Sequence, residues 1–416
     1  MKTLLCHEFY QQFGGEDRAF LNEAELLRSH GHQVVEFTRH HDEISQARRV
    51  GVAARCVWNL GVYRELRALI RRERPDIMHC TNIFPLISPS AYQAAHDEGV
   101  PVVQALRNYR LLCPSATLMR DGGVCESCVK KTFAWPAVLH GCYKGSRLGS
   151  AVVASMLAIH NLKRTWRQVD RFFTPSHFAR NLFIRAGMPA DRIDVKQNSV
   201  MPDPGPGPGD GGYMLFVGRL SPEKGINTLL NAWAELKQDI KLRIIGDGPC
   251  GKLVTDAAAN DSRITPLGEL PFDIVLEQLR AATCLVMPSV WYETFGRTIV
   301  EAYAAGTPVV ASRLGSMEEL VVPGQTGLHF EAGNAADLAR AVVELCQRTE
   351  LSDMRLRARR EFEDKYTAEQ SYLRLMSIYE RTIGRPCYDQ SAHAAPLSSM
   401  IPALRPAPVN VTVRPL

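Results

Sequence analysis

The sequence predicts an α/β protein of two domains, each with a parallel β-sheet covered by helices, that face each other across a cleft. Three observations predict this class. Short apolar runs alternate with helix-length amphipathic segments, which is typical of repeated βα units. The chain has 416 residues, more than one hydrophobic core usually fills. A stretch with four prolines and five glycines, residues 200–212, separates two halves of similar pattern.

The first half, residues 1–200, is expected to form the first domain. A helix is predicted from Glu16 to His30, because Gly31 then ends the amphipathic pattern. The strands predicted here are KTLLCH, QVVEF, DIMHC, PVVQAL and RFFTPS. Apolar strands separated by helices indicate a parallel sheet that is buried on both faces.

The second half repeats this pattern over residues 213–365, with strands predicted at YMLFVG, KLRIIG, CLVMPS and PVVAS. A helix with one apolar face is predicted over residues 367–383, and we expect it to pack back on the first domain. Residues 200–212 have almost no apolar side chains, so we expect a linker that does not pack. Residues 384–416, with six prolines and no periodicity, predict a disordered tail.

The composition narrows the class of protein. Apolar residues make up 45% of the chain and charged residues 22%, as in globular proteins. The net charge of +5 suits an anionic ligand or a membrane surface as well as nucleic acid, and we expect no nucleic-acid partner. The N-terminus MKTLLCHEFY is too polar for a signal peptide, and no stretch is long enough to span a membrane. We therefore expect a cytoplasmic protein with reduced cysteines.

Two glutamates eight positions apart lie in the largely apolar stretch SVWYETFGRTIVEAYAAGTPVVAS. A helix is predicted over residues 297–305, which places Glu293 in a loop above the sheet edge and Glu301 about one turn inside the helix. Unpaired main-chain N–H groups near Phe295 and Gly296 can bind an anion. A carboxylate at each end of the segment, with N–H groups between them, suits a ligand that has hydroxyls at both ends and phosphate in the middle. A sugar nucleotide is such a ligand. The alternative, an ordinary i, i+4 pair of Glu301 with the helix's first arginine, leaves Glu293 unexplained.

Two cations follow the first strand of the second domain, in FVGRLSPEKG. Arg219 and Lys224 lie at the carboxyl edge of the sheet, where α/β proteins bind ligands. A guanidinium and an ammonium on one short loop suit a diphosphate. The alternative is a solvated loop in which Lys224 pairs with Glu223.

A glycine turn follows the second strand of this domain, in IIGDGPCG. Gly246, Gly248 and Gly251 match the dinucleotide-binding pattern G-x-G-x-x-G, which brings backbone amides close to a phosphate. The pattern alone is weak, because it normally opens its domain with an acid about 20 residues later. Glu269 is the nearest acid at that distance, so a nicotinamide enzyme remains a minor alternative.

Together, GRLSPEKG, GDGP and E-T-F-G-x4-E resemble the retaining glycosyltransferases of family 4, also called group 1, which have the two-domain GT-B fold. The resemblance covers about residues 213–345 in the family's order. In the first half, FGGEDR is similar to the family's glycine loop near the donor phosphates, with Gly14 and Gly15 as the glycines.

The resemblance implies the roles of four side chains. Arg219 and Lys224 would neutralise the donor diphosphate and stabilise it as a leaving group. Glu301 would accept hydrogen bonds from ribose hydroxyls, and Glu293 would lie against the donor sugar. Gly246 and Gly248 would line the donor site, and no cofactor is required for transfer, since the sequence has no Asp-x-Asp pair for a metal.

The implied function is transfer of a sugar from a nucleoside-diphosphate sugar to a hydroxyl acceptor, with retention, in polysaccharide, lipopolysaccharide or glycolipid assembly. One position departs from the family, where Arg107 aligns with a frequent histidine near the donor sugar. Arginine cannot shuttle a proton. Asn108 and Tyr109 stay open as substitutes. Two other functions also stay open: a sugar-nucleotide-binding module without activity, and a nucleotide-sugar epimerase.

Four cysteines in the first half have the spacing C-x11-C-x2-C-x13-C, and they are Cys113, Cys125, Cys128 and Cys142. One C-x2-C pair with two further thiols suits a tetrahedral structural zinc, although one such pair is less diagnostic than two. The cluster is similar to those of some polysaccharide-assembling family members. The alternative is a set of free loop thiols.

The segment after this cluster, residues 143–170, combines five basic side chains with the apolar run AVVASMLAIHNL. A basic amphipathic helix can lie on an anionic membrane, where a lipid-linked acceptor would be found. This interpretation predicts a peripheral protein on the inner face of the membrane. The alternative is a core helix with a solvated end.

Overall fold

The computed structural model of the chain describes residues 1–45 and 49–385. The predicted tail, residues 384–416, therefore lies outside the described residues from residue 386 onward. Two six-stranded sheets dominate the structure, and every strand pair in them is parallel. The predicted class of two parallel-sheet α/β domains is confirmed.

The strands are, in chain order, β1 Lys2–Phe9, β2 Gln33–His40, β3 Ile77–Cys80, β4 Val102–Ala105, β5 Met119–Arg120, β6 Gly123–Val124, β7 Arg171–Thr174, β8 Ile193–Val195, β9 Tyr213–Val217, β10 Lys241–Ile245, β11 Ile264–Gly268, β12 Cys284–Met287, β13 Val309–Ser312 and β14 Gly327–Phe330. The α-helices are α1 Gly15–Ser29, α2 Asp42–Ser45, α3 Arg49–Val57, α4 Leu60–Glu73, α5 Ser90–Asp97, α6 Trp135–His140, α7 Arg147–Leu162, α8 His177–Arg185, α9 Ile226–Glu235, α10 Gly251–Asn260, α11 Phe272–Ala281, α12 Arg297–Ala304, α13 Ser316–Leu320, α14 Ala335–Cys346, α15 Leu351–Lys365 and α16 Ala368–Ile383. Short 3-10 helices cover Thr165–Gln168, Ala190–Arg192 and Pro222–Lys224.

The strand order places a switch point in each sheet. The first sheet has the order β2-β1-β3-β4-β7-β8, and the second has the order β11-β10-β9-β12-β13-β14. Connections leave in opposite directions from β1 and β3, and again from β9 and β12. Ligands of open α/β sheets bind at the carboxyl ends of strands at such points.

Each sheet is buried on both faces by its helices. The last helix, α16, packs on the first sheet although it follows the second in sequence. Tyr379 Oη lies 2.8 Å from His79 Nδ1 of β3, and Tyr372 Oη lies 2.8 Å from His32 Nε2. The apolar face of α16 thus covers the first sheet.

The linker packs, and the expectation that it does not is wrong. The N–H groups of Gly207, Gly209 and Gly211 donate to main-chain oxygens of Ala305, Arg280 and Ala281 at 2.8–3.1 Å. A Cβ atom on any of the three glycines would come within 2.8 Å of a neighbouring atom. The missing side chains therefore allow close backbone contact with the second domain.

Three strands of the main sheets escaped prediction, namely β8, β11 and β14. All three are edge strands, which pair on one side only. β8 has only three residues, β11 contains a proline and three exposed residues, and β14 contains a glycine and a histidine. None of the three therefore has the unbroken apolar run by which the other strands are recognised.

The predicted basic helix is shorter than expected and belongs to the core. It ends at Leu162, and Arg164 then takes a left-handed conformation with φ of 56°. Val153, Met156 and Leu157 of its apolar run are buried in the first domain. Leu162, at the end of the same run, is 72% exposed, so only the buried side of the run belongs to the core. Among the helices of residues 1–45 and 49–385, none combines the length and the apolar character needed to cross a bilayer.

Candidate functional site

The loops after β9 and β12 meet at the switch point of the second sheet. The loop after β9 carries Arg219 and Lys224, and the loop after β12 carries Glu293. The Arg219 side chain is exposed, and it forms no ion pair with the residues that the structure describes. The two predicted phosphate-binding cations thus stand at the sheet edge where the sequence placed them.

Lys224 and Glu293 form an ion pair, with 2.6 Å between Nζ and Oε1. Ser289 Oγ donates to the same carboxylate oxygen at 2.8 Å. Burial alone would raise the pKa of the Glu293 carboxyl, but the Lys224 charge and these hydrogen bonds outweigh it, so the pKa lies below its ordinary value. Lys224 also lies 5.5 Å from the ring centre of Trp291. Ser289 and Trp291 were not identified from the sequence, because no motif or pattern distinguishes them from the other residues of the loop.

Glu301 pairs with Arg297 at 2.8 Å, one turn apart on α12. The i, i+4 pair considered from the sequence is therefore present in the structure. A second guanidinium, Arg18 of α1, lies close enough for both charges of this pair to affect its pKa, which burial chiefly lowers. Arg18 also stacks over the Phe272 ring of α11 at 4.8 Å, which joins the two domains.

The main chain between the two glutamates turns sharply into α12. Gly296, the residue before the helix, has φ of 87°, a conformation that favours glycine. The N–H groups of Thr294, Phe295 and Gly296 donate no hydrogen bond to the described part of the chain. The Phe295 side chain is buried against the core. This segment therefore offers unpaired main-chain donors at a helix start.

The glycine turn after β10 positions the Arg219 loop. Gly246 has φ of 134°, and a Cβ atom there would lie 2.0 Å from the Gly218 oxygen. A Cβ atom on Gly248 would lie 2.6 Å from the Leu220 oxygen. The structure thus gives both glycines a role in packing two loops together, which requires no nucleotide.

The first domain contacts the Glu293 loop directly. Tyr109 Oη donates to the Glu293 main-chain oxygen at 3.3 Å, and Ser176 Oγ donates to the Thr294 oxygen at 2.7 Å. The N-terminal N–H groups of α8 donate to the Glu319 carboxylate at 2.7–3.0 Å. Of the two substitutes considered for the family's histidine, Tyr109 is the one that reaches this loop.

The glycine loop of the first domain opens α1. The Gly14 N–H donates to Asp17 Oδ2 at 2.8 Å, and Asp17 in turn holds the buried His7 at 2.8 Å. Gly15 is exposed, and a Cβ atom on it would meet nothing within 4 Å. Packing within the protein therefore does not require the second glycine.

Arg107 lies in a buried ion cluster. Its guanidinium donates to Glu23 Oε1 at 2.6 Å and to the Asn198 side chain, and Lys196 Nζ donates to the same Glu23 oxygen at 2.5 Å. Burial would raise the pKa of Glu23, but the two cations outweigh it and hold the pKa far below the usual range. Arg107 therefore serves a structural cluster beneath the cleft.

The four predicted metal-ligating cysteines line one small cavity. Cys113 and Cys128 are buried, and Cys125 and Cys142 are half-buried. Within residues 1–45 and 49–385, no three His, Cys, Asp or Glu side chains already stand in a metal-binding arrangement. The four thiols therefore share one cavity, but their present arrangement is not that of a metal site.

Two family models match the chain. The one described as Glycosyl transferase 4-like domain matches residues 14–199, and the one described as Glycosyl transferases group 1 matches residues 211–348. These ranges take in most of both sheets. The second range also contains all three candidate donor-site loops.

The similarity to two curated relatives covers less than half of the chain. An uncharacterized glycosyltransferase of Methanocaldococcus jannaschii is 34% identical over 173 residues, covering 41% of this chain and 48% of that protein. A phosphatidyl-myo-inositol mannosyltransferase of Mycobacterium leprae is 33% identical over 174 residues, covering 41% and 46%. The chain thus spans about half the length of these curated relatives. The solved structure of Anabaena HepE with UDP and glucose has a TM-score of 0.65 at 19% identity, covering 92% of this chain and 100% of that chain. The predicted GT-B fold is confirmed.

Proposed function

Because the chain belongs to the group 1 glycosyltransferases, we propose that it transfers a sugar from a nucleoside-diphosphate sugar to an acceptor hydroxyl, with retention of configuration. The Lys224–Glu293 pair at the switch point carries this proposal. It places a cation and a carboxylate where a diphosphate and its sugar would meet. The bound UDP and glucose of the HepE structure, which has the same fold, are consistent with such a donor.

The donor diphosphate would lie between Arg219 and Lys224. An ammonium has three N–H donors, and Glu293 accepts from one of them in this structure. The others remain for phosphate oxygens, and Arg219 is exposed and unpaired among the described residues. The unpaired N–H groups from Thr294 to Gly296 add main-chain donors.

The nucleoside and the sugar would lie at opposite ends of this segment. Glu301 would accept from the ribose hydroxyls while its other contact, with Arg297, holds the carboxylate in place. Glu293 would face the donor sugar. As the sugar–phosphate bond breaks, negative charge grows on the diphosphate, and the two fixed cations stabilise that charge in the transition state.

A product assay with uridine and guanosine diphosphate sugars tests the proposal. Nucleoside diphosphate release that increases with added acceptor, together with an α-anomeric product from an α-linked donor by NMR, supports retaining transfer. Tight binding without turnover would support the inert binding module, and a changed sugar still on its nucleotide would support the epimerase. Lys224→Ala should slow release by about 100-fold or more, and Lys237→Ala, which changes an exposed lysine of the same domain, should not.

We also propose that the acceptor is lipid-linked and that the first domain contacts an anionic membrane, as in polysaccharide, lipopolysaccharide or glycolipid assembly. Phe133, Trp135 and Leu139 are 41–55% exposed, and the last two share one face of α6. Lys131 Nζ lies 5.6 Å from the Trp135 ring centre. Exposed aromatic side chains beside lysines are typical of membrane interfaces. The name of the Mycobacterium leprae relative also points to a lipid acceptor.

Liposome flotation tests this surface. The wild-type protein should float with vesicles containing phosphatidylglycerol and remain below with neutral vesicles. Trp135→Ser with Leu139→Ser should abolish flotation. The control is Leu356→Ser, which removes an equally exposed leucine from the second domain. Equal flotation of both variants would contradict the proposed surface.

A further inference from the structure

The segment between β4 and α7 has little regular structure to hold it together. Residues 113–142 contain a hairpin of two-residue strands, β5 and β6, and the six-residue helix α6. The buried residues of its apolar cluster are one cysteine and two alanines, to which α7 adds Ala154. A segment with so small a core usually needs a covalent or metal link to keep one conformation.

The same segment holds an unusual share of strained backbone. Four non-glycine residues in it have positive φ values, between 50° and 67°, and they are Ala116, Leu118, Asp121 and Lys130. Left-handed backbone is costly for such residues and persists only where surrounding contacts impose it. Two of these turns are hydrogen-bonded to cysteines, since the Ala116 N–H donates to the Cys113 oxygen at 2.8 Å and the Cys125 N–H donates to the Leu118 oxygen at 2.7 Å.

We propose that Cys113, Cys125, Cys128 and Cys142 together bind one structural zinc ion. The four side chains line a single cavity. The C-x2-C pair supplies two ligands from one turn, and the other two come from each side of it. Four thiolates around one zinc are the usual closed structural site.

Binding requires a change in the conformation of the cysteine side chains. Cys113 Sγ lies 3.1 Å from Ser115 Oγ, and Cys125 Sγ lies 3.4 Å from Ser127 Oγ, so two thiols now face serine hydroxyls. Zinc binding would turn these sulfurs from the serine hydroxyls toward a common centre in the cavity. Zinc then replaces four thiol protons, which pass to the solvent, and the site gains a net charge of about −2. Arg120 lines the cavity and opposes that charge.

The zinc would also fix the floor of the cleft. The Cys113 N–H donates to the Tyr109 oxygen at 2.9 Å, and the Tyr109 N–H donates to the Ala116 oxygen at 3.2 Å. Tyr109 is the first-domain residue that bonds to the Glu293 main chain. The link between the domains therefore lies one turn from the proposed metal site.

Metal analysis of the full chain, purified with reductant and without chelator, tests the proposal. We expect about one zinc per chain. The Cys125→Ser/Cys128→Ser variant should lose it, and the control Cys346→Ser, which changes an exposed cysteine elsewhere, should keep it. Cobalt added to the metal-free wild type should give the near-ultraviolet absorption of cobalt–thiolate bonds.

Thiol alkylation of the wild type supplies a test that does not depend on the folding of a variant. The exposed Cys346 should react at once, and the four cysteines should react only after a strong chelator is added. Less than about half a zinc per chain, both as purified and after incubation with zinc chloride, would overturn the proposal. So would a disulfide between any two of the four in peptide mapping.

Discussion

The Lys224 ammonium lies 2.6 Å from the Glu293 carboxylate, and this contact joins two loops that are 69 residues apart in sequence. Glu293 is buried, while Lys224 keeps about a quarter of its side chain exposed. One partner is thus fixed inside the protein and the other can reach a ligand. This asymmetry separates the stability of the pair from its proposed role in transfer.

Lys224→Ala should reduce both stability and activity. It leaves the Glu293 carboxylate buried without its cation, which should cost about 3 kcal/mol in urea unfolding. Turnover should fall by about 100-fold or more, because a charge that stabilises the leaving diphosphate is lost.

A second substitution separates the two effects. Lys224→Met with Glu293→Gln should recover most of the unfolding free energy, since no unpaired charge remains buried, while turnover stays low. Recovery of turnover together with stability would show that neither side chain acts on the donor.

Glu301→Gln should weaken nucleoside diphosphate binding about 10- to 100-fold in calorimetry, because charge-assisted hydrogen bonds to the ribose are lost. Glu318→Gln, which changes an exposed glutamate of the same domain, serves as the control. An unchanged dissociation constant for Glu301→Gln would contradict a role in donor binding and leave Glu301 only its structural pairing with Arg297.

Alanine substitution in the two glycine turns should have different effects on stability. Gly246→Ala should destabilise the protein by about 3 kcal/mol or more, since its Cβ atom would overlap the Gly218 oxygen in a left-handed conformation. Gly15→Ala should leave thermal unfolding unchanged, because open space surrounds it. If the first-domain loop approaches the donor phosphates, Gly15→Ala should nevertheless weaken donor binding about tenfold. Unchanged donor binding would remove Gly15 from the site.

Stability should fall as the pH decreases from about 6.5 to 4. Burial, only partly offset by the Glu23 charge, lowers the pKa of His79 from 6.5 to about 4. The folded protein therefore resists a proton that the unfolded chain accepts, so the contribution of His79 to stability is complete above pH 6.5 and is lost toward pH 4. The pKa of His32 is lowered to about 4 as well, so the test is a difference between proteins. Urea unfolding of His79→Gln should depend less steeply on pH than that of wild type, and equal slopes would contradict the assignment.

The sequence predicted the site where its signals were local. The predicted strand ends and the start of α12 placed Arg219, Lys224 and both glutamates at one sheet edge. The pairing of Lys224 with Glu293 was not predictable, because it depends on the packing of two distant loops. The cluster of Glu23, with two cations 84 and 173 residues away, escaped for the same reason. Periodicity identifies which face of an element is buried, and it carries no information on contacts between loops.

The glycine contacts of the linker determine where the molecule can bend. Because the backbone from residue 207 to 211 is hydrogen-bonded to the second domain, that stretch must move with it. The chain crosses between domains again at the start of α16, and at this level the Val200 N–H donates to the Tyr366 oxygen at 3.4 Å. The two crossings lie side by side. Any opening or closing of the cleft therefore turns about one pivot, which consists of two neighbouring connecting segments. Substitutions in these segments would alter domain motion without changing a residue that contacts a ligand.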